Sequence, residues 1–430
     1  MRLHFGVQLK FSRLVMISLV SLLFFGFVDI CHASDDSVMA ELKELKARIT
    51  QLERKLARQD EEITEIRQEG VLPSLDGLTI GGGATFILQG TDKANGDNLA
   101  QNGEDVTDAS YSIDLEFEKE FEDYGKAFMH LEAGGGAGVE DELKVFSNVN
   151  RDADNDENVR LTEVWYEYYP EGLPLTLTFG KIDATGFIDT NEYANDEAAQ
   201  FLGRIFRNSP AIEFADNAAG IRLGIEPTDL IDLELVAMDA DSNWEDMFDG
   251  IFVATQLNLK PKLFNRSGNY RFLGWTNDRQ HTKWDDSTVT KGEGYGFGIS
   301  FDQELTDNLG AFLRYGWQDP EQRLNGLDDD FSLEHSWSTG LQLKGSIWGK
   351  DDDVFAIAYG QAIPSDDYKN AGTNLNAHSE DHLEAYYSFK VNDHLTLSPD
   401  VQVIWDPYGG DATNGDDTIT VFGLRGQVDF

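Results

Sequence analysis

The chain has 430 residues, in which 34 lysines and arginines stand against 78 aspartates and glutamates, for a formal net charge of −44. This charge argues against a nucleic-acid-binding protein, because a polyanion would be repelled and no basic stripe is present to neutralise phosphates. Hydrophobic residues make up 40% of the chain, which is too much for a disordered acidic protein. A single cysteine excludes a disulfide framework and a cysteine-based zinc site.

The first 33 residues have the layout of a secretory signal peptide. Basic residues precede an apolar run at 14–28, which is too short to cross a membrane comfortably as a helix. Cys31 and Ala33 supply small residues at the −3 and −1 positions of a cleavage site, which predicts a cut before Ser34. The mature protein is therefore expected to be exported.

A heptad pattern follows at 38–66. Apolar residues fill the a and d positions, with Gln59 as the one polar exception, and the four g–e′ pairs of a parallel pairing are all opposite in charge. The segment 34–70 is therefore predicted to form a short parallel coiled coil between copies of the chain, with two or three strands both possible. One amphipathic helix docked on a neighbour is the alternative. Gly70 and Pro73 end the helical pattern, and 71–77 is predicted to be a linker.

From about residue 78 the apolar positions alternate in steps of two. In the segment 108–121, Tyr111, Ile113 and Leu115 share one face, while serine and carboxylate side chains share the other. Such a strand fits either a half-exposed sheet or the wall of a membrane barrel. About sixteen such segments lie between 78 and 430, and an even number is what a closed single-chain bacterial barrel requires.

The lengths of the connections distinguish these two folds. Connections after even-numbered segments are mostly short, as at 170–174, whereas those after odd-numbered segments are mostly long and acidic, as at 134–159 and 183–218. Short periplasmic turns that alternate with long outer loops are typical of an outer-membrane barrel. The sequence thus predicts an all-β fold, an antiparallel transmembrane β-barrel of about 16 strands at 78–430, in the outer membrane of a Gram-negative-type bacterium with the coiled coil in the periplasm.

Several short motifs between about 160 and 430 resemble the carbohydrate-selective porins of the OprB type. Their order and spacing are more specific than any one of them: Glu163-Val164-Trp165-Tyr166, Gly180-Lys181-Ile182-Asp183, Ser209-Pro210-Ala211, Glu384-Ala385-Tyr386-Tyr387 and Pro399-Asp400-Val401-Gln402. The resemblance implies a sixteen-stranded pore that passes sugars by diffusion. The coiled coil is not part of the core family pattern, and 78–160 shows only generic barrel patterning.

Strand parity identifies side chains that point into the lumen. Mixed arginine, acid, amide and aromatic residues suit a neutral polyhydroxyl solute, because polar groups bond its hydroxyls and a ring such as Trp165 stacks on a sugar face. General lumen polarity is the alternative explanation for each position taken alone. The predicted substrate-contacting and pore-lining residues are Glu163, Trp165, Glu167, Lys181, Asp183, Asp189, Asn191, Arg222, Arg314, Glu384, Tyr386, Asp400, Gln402 and Arg425.

Three further predictions concern the long loop, Lys181 and the aromatic residues of the strands. The segment 183–218 is a candidate to fold inward and narrow the pore. Lys181 has the parity of the lipid-facing Phe179, so either a bulge re-aims it or it lies at the rim. Aromatic girdles at the membrane interfaces are predicted to include Tyr166, Tyr168, Trp317, Trp337, Trp405 and Tyr408.

Two alternative functions fit parts of this pattern. A cation-preferring or siderophore-type channel would explain the negative charge and inward acids such as Asp114 and Glu116. A structural tether would use the coiled coil to link the outer membrane to the cell wall or to a periplasmic partner. The expected partners are sugars or other small polar solutes, outer-membrane lipid and further copies of the chain, with no nucleic acid.

No enzyme, cofactor or metal site is predicted. No Ser-His-Asp arrangement stands out, and the histidines have no metal-binding spacing. Asp152, Asp154, Asp156 and Glu163 have the spacing of a calcium loop, but Glu157 stands where the turn needs glycine.

Overall fold

The computed structural model describes residues 77–96, 105–153, 157–247, 249–324, 331–371, 376–410 and 418–430, together with Lys55. The predicted signal peptide, the predicted coiled coil except Lys55, and the predicted linker except Gly77 lie outside the described residues. In the part of the chain that is described, no helix is both long and apolar enough to cross a membrane.

The described residues from Gly77 onward form one antiparallel sheet in which each strand pairs with its neighbours along the chain. The two-residue β9 lies in the turn between β8 and β10, so sixteen strands build the wall. The strands are β1 (Leu78–Asp92), β2 (Thr107–Phe121), β3 (Gly125–Gly135), β4 (Arg160–Tyr168), β5 (Leu175–Ile182), β6 (Ala218–Thr228), β7 (Ile231–Asp239), β8 (Ile251–Leu259), β9 (Lys262–Leu263), β10 (Arg266–His281), β11 (Gly292–Thr306), β12 (Leu309–Gln318), β13 (Leu333–Lys344), β14 (Val354–Pro364), β15 (Glu380–Asn392), β16 (Leu395–Trp405) and β17 (Ile419–Asp429).

The sheet is closed, because β1 pairs with β2 on one side and with β17 on the other. The prediction of an all-β antiparallel barrel of about 16 strands is thereby confirmed. At one end of the barrel, which we call the turn end, connections such as 122–124, 229–230 and 393–394 are short. At the other, the loop end, the connections are long, as at 136–159, 183–217 and 319–332.

Side chains alternate between the two faces of the wall, as the period of two requires. On β1, Phe86 and Leu88 are each 52% exposed on the outer face, where a barrel of this type meets lipid. The side chains between and beside them, Thr85, Ile87 and Gln89, point inward and are buried. An apolar outer band and a largely polar inner face follow directly from this alternation.

The long loop 183–217 folds into the barrel and brings an apolar core with it. Phe201, Ile205 and Phe206, the last two on the short helix α1 (Arg204–Arg207), pack against Phe312 of β12 and Tyr386 of β15. Other loops at the same end contribute Phe146, Phe331 and residues of the helix α2 (Asp366–Ala371) to this cluster. The lumen therefore contains a packed hydrophobic cluster as well as polar surface.

One contact shows how closely the loop 183–217 meets the wall. Gly310 of β12 lies directly under the ring of Tyr193, and a Cβ at this position would come within 2.1 Å of the ring. Glycine therefore makes room for the loop here.

Tyr408 is 6% exposed and packs on Phe146 with ring centroids 4.8 Å apart, inside the barrel. The girdle prediction was wrong for Tyr408, because an αL turn at 406–410 directs it into the lumen cluster.

Candidate functional site

Asp189 and Asn191 belong to the in-folded loop 183–217, and the other sequence-predicted residues occupy three places in the barrel. One group lies on the inner face of β12–β17 and is covered by the in-folded loops; we call this face the packed wall. A second group lies on the inner face of β2–β7, where side chains keep partial exposure; we call this face the open wall. Lys181 and Asp183 lie at the rim of the loop end, where β5 stops.

Arg314 of the packed wall fastens the loop 183–217. It is 1% exposed, and its Nε donates to Asp189 Oδ1 at 2.9 Å. The remaining guanidinium nitrogens donate to the carbonyl oxygens of Phe206 at 2.6 Å and of Asp189 and Ala194 at 2.9 Å each. Asp189 also accepts from Ser209 N at 2.8 Å. This buried ion pair is tolerated because hydrogen bonds supply both charges with partners.

Three more predicted residues of the packed wall, Arg425, Gln402 and Tyr386, also contact loop backbone or a loop ring. Arg425 Nη1 donates to the carbonyl oxygens of Glu197 and Gln200, at 2.8 Å each, and Gln402 Nε2 donates to Val149 O at 2.8 Å and to Asp400 Oδ1 at 3.1 Å. Tyr386 meets the ring of Phe201 edge-on with centroids 5.0 Å apart.

Glu384 and Asn191 complete this contact between loop and wall. Both carboxylate oxygens of Glu384 accept loop N–H groups, from Leu202 at 2.6 Å and from Gly203 at 2.9 Å. Asn191 belongs to the loop itself, and its Nδ2 donates to Ser300 Oγ on β11 at 3.1 Å. Sequence parity had placed these wall side chains in the lumen, and the structure shows that their lumen contacts are with the chain's own loops.

On the open wall, Glu163 and Trp165 lie beside each other on β4. Trp165 Nε1 donates to Glu163 Oε2 at 3.0 Å, and the same oxygen accepts from Asp183 N at 3.3 Å. Phe128 of β3 stacks on Trp165 with centroids 5.0 Å apart, and Lys126 Nζ lies 5.4 Å from the Trp165 ring centroid. The pair of rings is only partly buried, so an aromatic surface remains in the lumen.

Arg222 of β6 links two acids of the same wall. Its Nε and Nη2 donate to the two carboxylate oxygens of Glu234 at 2.6 Å each, and Nη1 donates to Glu167 Oε2 at 3.1 Å. Its guanidinium carbon lies 4.8 Å from the ring centroid of Phe187. The fork–fork geometry fixes the direction of the guanidinium, and the charge of this part of the wall is partly neutralised.

Sequence reasoning missed the lumen residues of β3. Lys126, Phe128, His130 and Glu132 all point inward, and His130 Nε2 lies 2.9 Å from Asp114 Oδ1 of β2. The alternation of polar and apolar residues in 126–132 was the available signal. This region matched no family motif, so its inward residues were not singled out.

The in-folded loops carry titratable groups that face this wall. Ser112 of β2 donates to both carboxylate oxygens of Asp152, at 2.9 and 3.0 Å. Burial raises the pKa of Asp152 to about 7, and the charges of Glu197 and Asp114 act in the same direction, whereas the bond from Ser112 opposes the shift. Burial likewise raises the pKa of Glu140, in the same loop, to about 7.

At the rim, Lys181 pairs regularly with Val164 and with Ala219, so no bulge re-aims it. Its Nζ donates to Leu161 O at 2.7 Å, while the next residue, Ile182, points inward and is fully buried. Asp183 caps the short 3₁₀ turn that follows by accepting from Thr185 N at 2.8 Å. Within the described residues, no group of three or more His, Cys, Asp or Glu is arranged to hold a metal ion.

A closed barrel of sixteen strands, with an apolar outer face and long loops folded into a polar lumen, is the architecture of an outer-membrane porin. The family model "Carbohydrate-selective porin, OprB family" matches residues 103–430. The chain belongs to this family, and family membership implies a channel rather than an enzyme.

The chain is also similar to a solved structure and to two curated proteins. The structure of Pseudomonas putida OprB at high pH superimposes with a TM-score of 0.70 at 16% identity, covering 84% of this chain and 97% of that one. An uncharacterized protein of Synechocystis is 22% identical over 417 residues, 89% of this chain and 73% of its own length. An uncharacterized protein of Aquifex aeolicus is 25% identical over 227 residues, 53% of this chain and 58% of its own length.

Proposed function

We propose that the protein lets carbohydrates diffuse passively across the outer membrane, from the loop end to the turn end and into the periplasm. The observation that carries this proposal is the partly exposed pair of rings, Phe128 and Trp165, next to the carboxylate of Glu163. A sugar presents C–H groups to an aromatic face and hydroxyls to carboxylates, so this arrangement suits a neutral polyhydroxyl solute. The family description supports the same substrate class.

Planar-bilayer conductance tests the proposal. The purified protein is titrated with neutral sugars and then with an organic anion of similar size. Saturable block by the sugars, with little effect of the anion, supports a sugar site in the lumen. Conductance that no sugar changes would contradict the carbohydrate proposal and leave a general or ion-selective pore.

The variant Trp165→Ala locates the site. Without the indole face we expect the sugar concentration for half-block to rise about tenfold, equivalent to roughly 1.4 kcal/mol. Trp337→Ala is the control, because Trp337 lies on the outward face of β13 and donates to Gln361. Equal block in the two variants would place the sugar elsewhere in the lumen.

A cation-preferring channel is the second candidate. It is favoured by Asp114, Glu132 and Glu163, which lie close together on the inner face of β2–β4, and by Glu197 of the loop, whose charge acts on Glu132. The reversal potential in a salt gradient separates the two candidates. A strong cation preference without sugar block would replace the carbohydrate proposal.

Except for Lys55, the segment 34–70 lies outside the described residues, and we propose that it forms a periplasmic coiled coil between copies of the chain. Deletion of 35–70 distinguishes its possible roles. A loss of oligomers from detergent extracts would support an assembly role. Intact channels together with a loss of envelope attachment would support the structural tether.

A further inference from the structure

Two glutamates on the inner face of β15 hold three separate loops. Glu380 accepts from the backbone N–H groups of Phe146 at 2.8 Å and Ser147 at 2.9 Å, both in the loop 136–159. It also accepts from Tyr408 N at 2.7 Å, in the loop between β16 and β17. Glu384, two residues beyond His382 on the same face, accepts from the N–H groups of Leu202 and Gly203 in the loop 183–217.

Both carboxylates are 0% exposed. A carboxylate that is shielded from water is stable only when its oxygens accept hydrogen bonds. Here the described donors are mainly backbone N–H groups of the loops. Those N–H groups in turn need an acceptor as long as the loops stay inside the barrel. The glutamates and the loops therefore depend on each other.

The surroundings of the two glutamates are charged as well. His382 lies between them, with Nε2 at 2.7 Å from Glu380 Oε1. The carboxyl group of Asp400, on the neighbouring strand β16, lies close enough to Glu384 for the two to interact electrostatically. Gly203 permits the close approach of the loop, because a Cβ there would come within 2.8 Å of Glu384 Oε2.

We infer that Glu380 and Glu384 are positioning residues that set the bore of the channel by holding the loops 136–159 and 183–217 inside it. The inference rests on the proposed porin function, and it separates two tasks within the lumen. The open wall meets the solute, and β15 determines how much room the solute has.

The test compares Glu384→Gln, Glu380→Gln and the control Glu116→Gln. Glutamine keeps the size of the side chain, but its amide nitrogen cannot accept a bond, so one loop N–H group faces another donor. Glu116 is an exposed residue of the open wall, and its substitution makes the same change from carboxyl to amide. Three properties are measured in each variant: single-channel conductance, the largest neutral polyethylene glycol that enters the pore, and hydrogen exchange of peptides containing 146–147 or 202–203.

For the two β15 variants we expect about twofold higher conductance and entry of larger polymers. Exchange should be at least tenfold faster at 202–203 in Glu384→Gln and at 146–147 in Glu380→Gln, with wild-type exchange in the control. Unchanged exchange and polymer cut-off in folded variants would overturn the inference. So would unprotected amides at 202–203 in the wild-type protein.

A second variant covers the case in which the glutamine variants do not fold. Gly203→Ala pushes the loop away from Glu384 without altering the wall, and it should reproduce the faster exchange at 202–203 and the wider pore. Wild-type behaviour of this variant would count against the inference. If the proposed function is wrong, sugars will not block the wild-type channel. The exchange measurements do not depend on the solute, so they test the inference separately.

Discussion

The open wall and the packed wall belong to the same barrel and follow the same strand parity, yet their polar residues have different roles. On the packed wall Arg314, Glu384 and Arg425 are at most 2% exposed and bind loop backbone. On the open wall the side chains of His130 and Asp114 keep 19% and 32% exposure. An inward polar residue therefore contacts solute only where no loop covers it.

The two walls also differ in what their ion pairs contribute. The pair between Arg314 and Asp189 is buried, so loss of either partner leaves an uncompensated charge. Partly exposed pairs such as Lys126 with Glu118 are screened by water and contribute little to stability. Substitutions on the packed wall should therefore affect folding, and substitutions on the open wall should affect the passage of solutes.

The largest expected effect is that of Arg314→Met. Methionine fills much of the volume but leaves Asp189 and three loop carbonyl groups without their donor, so we expect a loss of about 3–5 kcal/mol in the free energy of unfolding. Urea unfolding in detergent, followed by tryptophan fluorescence, measures it. Arg266→Met is the control, because the partners of Arg266 lie in the exposed turn end. Equal stability of the two variants would contradict the distinction between the walls.

The second effect is confined to one loop and is expected from pH, through Asp152. Its pKa in the folded protein, about 7, lies above the ordinary value of 3.8. The folded loop thus favours the protonated form, and its attachment is strongest below about pH 4 and weakens as pH rises towards 7. Local opening of 136–153 should increase over this range by up to tenfold per pH unit, and hydrogen exchange corrected for its intrinsic pH dependence measures it.

Asp152→Asn should remove part of this pH dependence, with the remainder coming from Glu140, whose pKa is also about 7. The control is Asp286→Asn, because bonds from Thr288 lower the pKa of this exposed loop residue. A pH profile that Asp152→Asn leaves unchanged would show that the carboxyl is ionised throughout.

The smallest effect concerns charge on the open wall. Arg222→Gln removes a cation that lies between Glu167 and Glu234, so the lumen becomes more negative and the reversal potential in a KCl gradient should move towards cation selectivity. Thermal stability should change little in comparison with Arg314→Met. Arg266→Gln, at the turn end, is the control. An equal reversal potential in the two variants would indicate that Arg222 lies outside the ion path.

The barrel could be predicted because its signals are local. Alternation along each strand gives the direction of a side chain, as for Glu163 and Arg314. The even number of strands indicates closure, and the alternation of loop lengths indicates a membrane barrel. The inward fold of 183–217 could be anticipated from its length only as a possibility. Its attachment was not predictable, because the contacts of Glu384 join residues about 180 positions apart and the donors are backbone N–H groups, which every non-proline residue carries.

The closure of the barrel between β1 and β17 has a consequence for how fast the protein can fold. Thr85 and Gln427, which are hydrogen-bonded across this seam, are 342 positions apart. Bringing such distant segments together costs roughly 5 kcal/mol of chain entropy before any pairing compensates for it, and folding slows as contacts become less local. Until the seam forms, both strands have unpaired edges that other chains can bind. The chain is therefore exposed to aggregation through these edges until the seam closes.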